Sequence, residues 1–238
     1  MRKNVIAVIQ ARMKSNRLPD KAMLDLAGKP LLAHVIERVQ AFENVDEVFV
    51  ATSYCGSNKP IIDLAFEMRC NVFVGAIEDV LERFYIISEE YPSKYIARIT
   101  GDNPFIDVNY GSFAIKREIE KKFDLLAMVG LPIGTGIEIF KSEAIQRTYN
   151  EVTKKSDREH VTTYIKNNRD KFNVEFYNAG LQSPLGYPRL TVDYEEDYVL
   201  AKMIYGELYK KKPFSIEEVV HFLESNPDLL EINKSKNT

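Results

Sequence analysis

The chain has 238 residues, of which 45% are hydrophobic and 28% charged, and a formal net charge of -3. That length can bury a full core in one large domain or two small ones. The near-neutral balance argues against the extended cationic footprint that nucleic-acid binding needs. Two cysteines, Cys55 and Cys70, give neither a disulfide framework nor a metal knuckle, and both sit beside apolar segments where inert core thiols are expected. The opening MRKNVIAVIQ has too short an apolar run for a signal peptide, and no stretch approaches the roughly 18 apolar residues of a spanning helix. The expectation is a cytoplasmic protein without membrane insertion.

Val5 to Ile9 reads as a buried parallel strand. A loop with Arg12, Lys14, Arg17 and Lys21 follows it directly. Ala27 to Pro30 make a turn, with Pro30 suited to the first helical position. Leu31, Leu32, Val35, Ile36 and Val39 recur at helical spacing. Strands are expected at Glu47–Thr52, Asn71–Val74, Lys94–Thr100 and Asp124–Val129, and helices at Pro60–Met68, Ile77–Glu90 and Asn109–Lys121. This alternation predicts a mostly parallel α/β sheet with helices on both faces. Beyond Gly130 the pattern predicts a strand at Glu138–Phe140, helices at Ser142–Glu151 and Asp157–Asn167, and a strand at Lys171–Tyr177. A loop over Gly180–Pro188, a strand at Arg189–Val192 and a helix at Glu195–Tyr209 come next. Ser215 caps a last helix, and NKSKNT reads as a frayed tail. No repeat or interdomain linker is visible, so residues 1–238 are expected to form one domain with a small central lobe.

Chemistry concentrates in three places. Four cations within ten residues, off the carboxyl end of a core strand, stand where an open α/β sheet places its ligand crevice. Such a loop suits a polyphosphate; the alternative is a basic surface loop. Neither GxxxxGK[ST] nor GxGxxG is present, and GTGIEIF reads as a turn. Asp102 and Asp193 each follow a predicted strand. They suit Mg²⁺, which takes oxygen ligands together with phosphate oxygens and waters; the alternatives are an Asx turn and a helix N-cap. Glu196 and Asp197 read as first-turn helix acids. His34 and His221 look structural or solvated, and His160 belongs to a charged Arg–Glu–His run.

VIQARMKSNRLPDKAML resembles the opening signature of the cytidylyltransferases that activate acidic sugars. GKPLLAHVIERV, VFVATS, EDVLERFY, RITGDNPFID, DREHVT and LTVDYEED follow in the matching order. EDVLERFY and DREHVT are most similar to the branch of spore coat polysaccharide biosynthesis proteins. CMP-Kdo and CMP-acylneuraminate synthetases are the more distant branches.

The resemblance implies a nucleotide-diphospho-sugar transferase-like fold that moves CMP from CTP to a sugar, in surface polysaccharide biosynthesis. The acceptor would be a 2-keto sugar acid, and pyrophosphate would leave. It implies that Arg12, Ser15, Arg17 and Lys21 wrap the triphosphate. Ile9, Ala11, Ala51 and Thr52 would face cytosine and ribose, and Gly75 and Asp79 would line the nucleotide pocket. Gly101 is placed beside Asp102, which with Asp193 would hold Mg²⁺. It also implies a homodimer formed through a lobe near residues 130–180. Thr100 stands where the distant branches usually carry glutamine, so the acceptor is not inherited from them. Arg98, Arg158 and Arg189 are the alternatives for an acceptor carboxylate. The competing readings are a nucleotide-sugar-binding protein without turnover and a related glycosyltransferase. The absence of an Asp-x-Asp motif argues against the latter.

Overall fold

The computed structural model describes residues 3–181, 186 and 188–236. Its first strand, β1 (Lys3–Gln10), lies in the interior of the main sheet. The apolar run alternates between two faces: Val5, Ala7 and Ile9 enter one core, and Ile6 and Val8 the other. A strand buried on both faces needs this continuous apolar sequence. Two short strands, β2 (Asp25–Leu26) and β3 (Lys29–Pro30), pair antiparallel around the predicted turn. Helix α1 (Leu31–Gln40) starts one residue later than expected because Pro30 is extended and serves as its N-cap.

Strands β4 (Glu47–Ser53), β5 (Asn71–Gly75) and β6 (Ser93–Thr100) run parallel around β1 in the order β5-β4-β1-β6. Between them lie α2 (Lys59–Glu67) and α3 (Val80–Glu90). Helix α3 begins three residues after the predicted start, where the Asp79 carboxylate accepts the Glu82 N–H at 2.9 Å. Helix α4 (Val108–Lys121) is capped in the same way by Asp107. The sheet continues through β7 (Leu125–Val129), β8 (Glu138–Lys141) and β9 (Val174–Asn178). β8 inserts antiparallel between β6 and β7, and β9 pairs parallel with β7. The expected mostly parallel α/β architecture is therefore present, with seven strands in the main sheet among the described residues.

Helices α1, α2, α4, α8 (Glu195–Leu208) and α9 (Ile216–Ser225) cover one face. α3, α5 (Ser142–Glu151) and α7 (Thr163–Asn167) cover the other. Each fully buried Leu, Ile or Phe side chain stabilises this packing by about 1.5–3 kcal/mol.

Four expectations need correction. The helix predicted at Asp157–Asn167 is two short ones, α6 (Lys155–Glu159) and α7, because Val161 turns into the core with a φ of +32°. Strand β9 begins at Val174, since the N–H groups of Lys171 and Phe172 are spent on Asn168 O. Arg189–Val192 is no strand: Arg189 forms a single bridge with Ile133. The tail is anchored where it begins, with Asn233 buried and Lys234–Lys236 forming a 3₁₀ turn. The loop predicted at Gly180–Pro188 lies partly outside the described residues. No helix among the described residues is long and apolar enough to cross a membrane.

Candidate active site

The carboxyl ends of the central strands are level. Gln10 is in register with Ala51 and Thr100, and Ser53 with Gly75. Above this edge lies a cavity of about 570 Å³. The loop after β1 forms its floor and one wall. Met13 and Leu18 are buried and pin the loop, while Arg12, Lys14 and Arg17 face solvent. Met13 N–H donates to the buried Asn58 side chain at 2.9 Å, and Asn58 in turn donates to Ser53 O at 2.9 Å. A buried amide with satisfied partners fixes loop geometry in a way that loose surface loops lack. Ser15 Oγ accepts from Leu18 N–H.

Lys21 has all three of its ammonium donors placed. Its Nζ meets Asp102 at 2.7 Å, Asp193 at 2.8 Å and Val192 O at 3.0 Å. Arg17 reaches Asp193 at 2.7 Å and lies over the Tyr194 ring. Burial pushes the Asp193 carboxyl up, but the Lys21 hydrogen bond and the charges of Lys21, Arg17 and Arg189 outweigh it and hold the group below its ordinary value. Asp193 is not the N-cap of α8. Asp197 accepts the N–H groups of Asp193 and Tyr194, both at 3.0 Å, which leaves the Asp193 carboxylate to the cavity. Asp102 likewise forms no turn hydrogen bond among the described residues; its carboxylate meets Lys21.

Eight residues expected at the site line one cavity: Ala11, Arg12, Ser15, Arg17, Lys21, Gly101, Asp102 and Asp193. Five do not line it. Ile9, Ala51 and Thr52 are buried within the sheet, and the backbone there is spent on strand pairing. Ala11 N–H donates to Ala51 O at 3.0 Å, and Gly101 N–H donates to Gln10 O at 2.8 Å. Those two N–H groups therefore already have acceptors within the sheet. Asp79 caps α3 and pairs with Arg158 at 2.6 Å. Gly75 serves packing: a Cβ there would stand 2.7 Å from Arg83 Cγ.

A family model for cytidylyltransferases matches residues 6–234. The chain belongs to the cytidylyltransferase family. The spore coat polysaccharide biosynthesis protein SpsF of Bacillus subtilis (strain 168) is 30% identical over 230 residues, covering 94% of this chain and 96% of that protein. The 3-deoxy-manno-octulosonate cytidylyltransferase of Geobacter sulfurreducens is 33% identical over 104 residues, which is 44% of this chain and 41% of that enzyme. A solved cytidylyltransferase from Leptospira borgpetersenii serovar Hardjo-bovis superposes with a TM-score of 0.90 at 26% identity, covering 96% and 97% of the two chains. The resemblance to sugar-acid cytidylyltransferases read from the sequence is borne out.

The donor set of this cytidylyltransferase-family chain fits the Mg²⁺ that the family implies. Two carboxylates on different segments converge on one ammonium, and Mg²⁺ is commonly held by one or two carboxylates together with substrate phosphates. No group of three or more His, Cys, Asp or Glu gathers among the described residues.

Sequence reading missed Asn58, Ser53 and Arg83, all of which line the cavity; Arg98, one of the three arginines it offered for an acceptor carboxylate, lines it too. Asn58 carries no motif. Arg83 did carry a signal: it occupies a core position of α3, among Val80, Phe84 and Ile87. Burial first, and neighbouring Arg12 second, push its guanidinium below its ordinary value. His160, expected in a charged patch, stands at the cavity wall beside Glu159, while Arg158 turns to Asp79. Cys55 departs from the inert-thiol expectation. It is half-buried at the same cavity, and hydrogen bonding to Ser57 lowers its pKa. Cys70 is buried, and burial raises its thiol to about 11.

Proposed function

We propose that the protein transfers CMP from CTP to a hydroxyl of a 2-keto sugar acid with release of pyrophosphate, as a step in surface polysaccharide biosynthesis in the cytoplasm. The observation that carries this reading is the convergence of Asp102 and Asp193 on Lys21 beside a cationic loop, inside the cavity at the sheet's carboxyl edge. Arg12, Ser15, Arg17 and Lys21 hold the triphosphate. Their charges offset the repulsion between the phosphates and an incoming anionic sugar. The acceptor hydroxyl gives up its proton to water as its oxygen bonds to the α-phosphorus, and the bond to the bridging oxygen of pyrophosphate breaks. Arg12, Arg17 and Lys21 stabilise the charge that collects on the leaving pyrophosphate. Asp102 and Asp193 would hold Mg²⁺, which would supply Lewis-acid neutralisation of the phosphate oxygens.

A second cavity of about 250 Å³ shares Arg98 and Thr100 with the first and extends past Asn103 to Ile133 and Gly134. It is the acceptor's place in this reading. Of the three arginines left open by the sequence, Arg158 is committed to Asp79 and Arg189 to Asp193 and Asp197. Arg98 also has partners, Glu138 at 2.8 Å and Gln10 at 3.1 Å, but it lines both cavities and would meet the acceptor carboxylate through the N–H groups those bonds leave over. The active form is a homodimer assembled through residues 130–180, where Ile133 is exposed; sedimentation equilibrium tests it.

The decisive experiment is a matrix of CTP, UTP, ATP and GTP against a panel of sugar acids with Mg²⁺, read as pyrophosphate release. Release with CTP and a 2-keto sugar acid is expected. Nucleotide binding without release in any cell of the matrix would instead make the protein a nucleotide binder.

A further inference from the structure

We infer that Arg83 reads the pyrimidine edge of the nucleotide and separates CTP from UTP; the inference rests on the CTP reading above. Arg83 is 4% exposed, and its Nε has no hydrogen-bond partner among the described residues. It forms no ion pair among the described residues. Asp79, the carboxylate that acts on it electrostatically, is already held by Arg158 and by the α3 N-terminus. A buried, unpaired guanidinium is costly in the free protein. A group that meets it only in the bound state accounts for its place in the cavity wall.

Position selects which part of a nucleotide that is. Arg83 packs against Gly75 at the end of β5, whereas Asp102 follows the end of β6. The order β5-β4-β1-β6 puts three strand spacings between them, about 14 Å. The loop bearing Arg12, Lys14, Arg17 and Lys21 leaves β1, between the two. Phosphates running from this loop towards Asp102 and Asp193 leave the β4–β5 side for the base. That side has the walls a flat ring needs: Val80 and the exposed Ile77 line it, with Ser53 from the end of β4. Glycine at 75 keeps the space that the Arg83 stem occupies.

The chemistry then discriminates. Cytosine presents two adjacent acceptors, O2 and N3, to the two parallel N–H groups of a guanidinium. Uracil presents O2 beside an N3–H donor, so one arginine N–H would face another donor and remain buried without a partner. This replaces the strand-end backbone as the reader of the base, since those N–H and C=O groups are spent within the sheet.

Arg83→Met keeps the volume and removes charge and donors; Arg83→Lys keeps the charge without the fork. Isothermal titration with Mg²⁺ should compare CTP, UTP and inorganic tripolyphosphate on the wild type and both variants, with thermal unfolding of the free proteins alongside. The wild type is expected to favour CTP over UTP by at least tenfold. Both variants should lose tenfold or more for CTP and little for UTP, so the preference collapses while tripolyphosphate binding stays within twofold. The free Arg83→Met protein should melt at or above the wild-type temperature, because the lost group had no partner; a merely structural residue would lower it. An intact CTP preference in both variants overturns the inference and leaves the CTP reading standing. Equal losses for all three ligands overturn it in favour of a phosphate contact. A wild type without preference for CTP overturns both readings.

Discussion

At the scale of single residues, Lys21 is the group on which two carboxylates depend. Its side chain is largely enclosed, and it lies within 2.8 Å of both Asp102 and Asp193. Lys21→Met leaves those carboxylates facing each other without their shared cation and removes a charge from the leaving pyrophosphate. The expected fall in kcat/KM is about 10²–10³-fold, the usual effect of losing a charge-assisted transition-state contact. Arg17 makes a similar contact from a half-exposed position. Arg17→Ala should therefore change stability by less than about 1 kcal/mol while still lowering turnover. Wild-type steady-state constants in both variants would remove the loop from the mechanism. The two aspartates should separate in a Mg²⁺ titration combined with thermal melts. Asp102→Asn and Asp193→Asn should both raise the Mg²⁺ needed for half-maximal rate, because a hard cation favours charged oxygens. Only Asp193→Asn should also lower Tm, since Asp193 additionally binds Arg17 and Arg189. An unchanged metal requirement in either variant would leave that residue a structural partner of Lys21.

At the scale of elements, the start of α8 explains why Asp193 is available to the site. Asp197 takes over the capping, accepts from Arg189 as well, and is itself held by the Asn233 side chain at 2.9 Å. Asp197→Ala breaks a buried pair and a cap together, at an expected cost of about 3–5 kcal/mol. Asn233→Ala leaves one Asp197 oxygen short of a donor and should cost about 1–3 kcal/mol. Urea titration measures both, and a midpoint unmoved by Asn233→Ala would return the tail to a frayed end. This arrangement also marks where sequence reading stops. The strands, the helices and the basic loop were legible because apolar period and cation spacing are local. The Lys21 triad was legible only in part: Asp102 could be placed after a strand and Asp193 after an apolar stretch that forms only a single bridge, but nothing local says that both meet the same ammonium. Asn233 and Asp197 pair 36 residues apart, Asn58 and Met13 pair 45 apart, and polar partners at such separations leave no periodic trace. That Ala51 and Thr52 lie buried in the sheet and not on the cavity wall was hidden for a related reason. Whether a strand-end carbonyl is free depends on the neighbouring strand's next residue.

At the scale of the whole molecule, two buried titratable groups on one face of the sheet set opposing slopes in stability against pH. His34, in contact with Leu26 O and the rings of Tyr205 and Tyr209, is buried; desolvation lowers its pKa from 6.5 to about 4. As pH falls from 6.5 towards 4, the unfolded chain takes up a proton that the folded chain refuses, so stability is lost. Glu118 in α4 is fully buried, and neither carboxylate oxygen has a hydrogen-bond partner among the described residues. Desolvation raises its pKa from 4.5 to about 8, with Lys141 opposing and Asp124 adding to the shift. Here the folded chain keeps a proton that the unfolded chain releases, so stability is full below 4.5 and is lost as pH rises through 8. Each slope is at most about 1.4 kcal/mol per pH unit. Between 4.5 and 6.5 the two cancel, and from 6.5 to 8 Glu118 acts alone. Asp193 and Glu138, both held below their ordinary values, act only at more acid pH. The wild type should thus show a plateau to about pH 6.5 and a decline above it. Glu118→Gln should convert that profile into a rise up to about pH 6.5 followed by a level stretch, making the variant the more stable protein at pH 8. Urea unfolding at half-unit steps from pH 4.5 to 8.5 measures both curves. A wild type and a Glu118→Gln variant whose stabilities run parallel across that range would show that Glu118 is ionised in the folded protein.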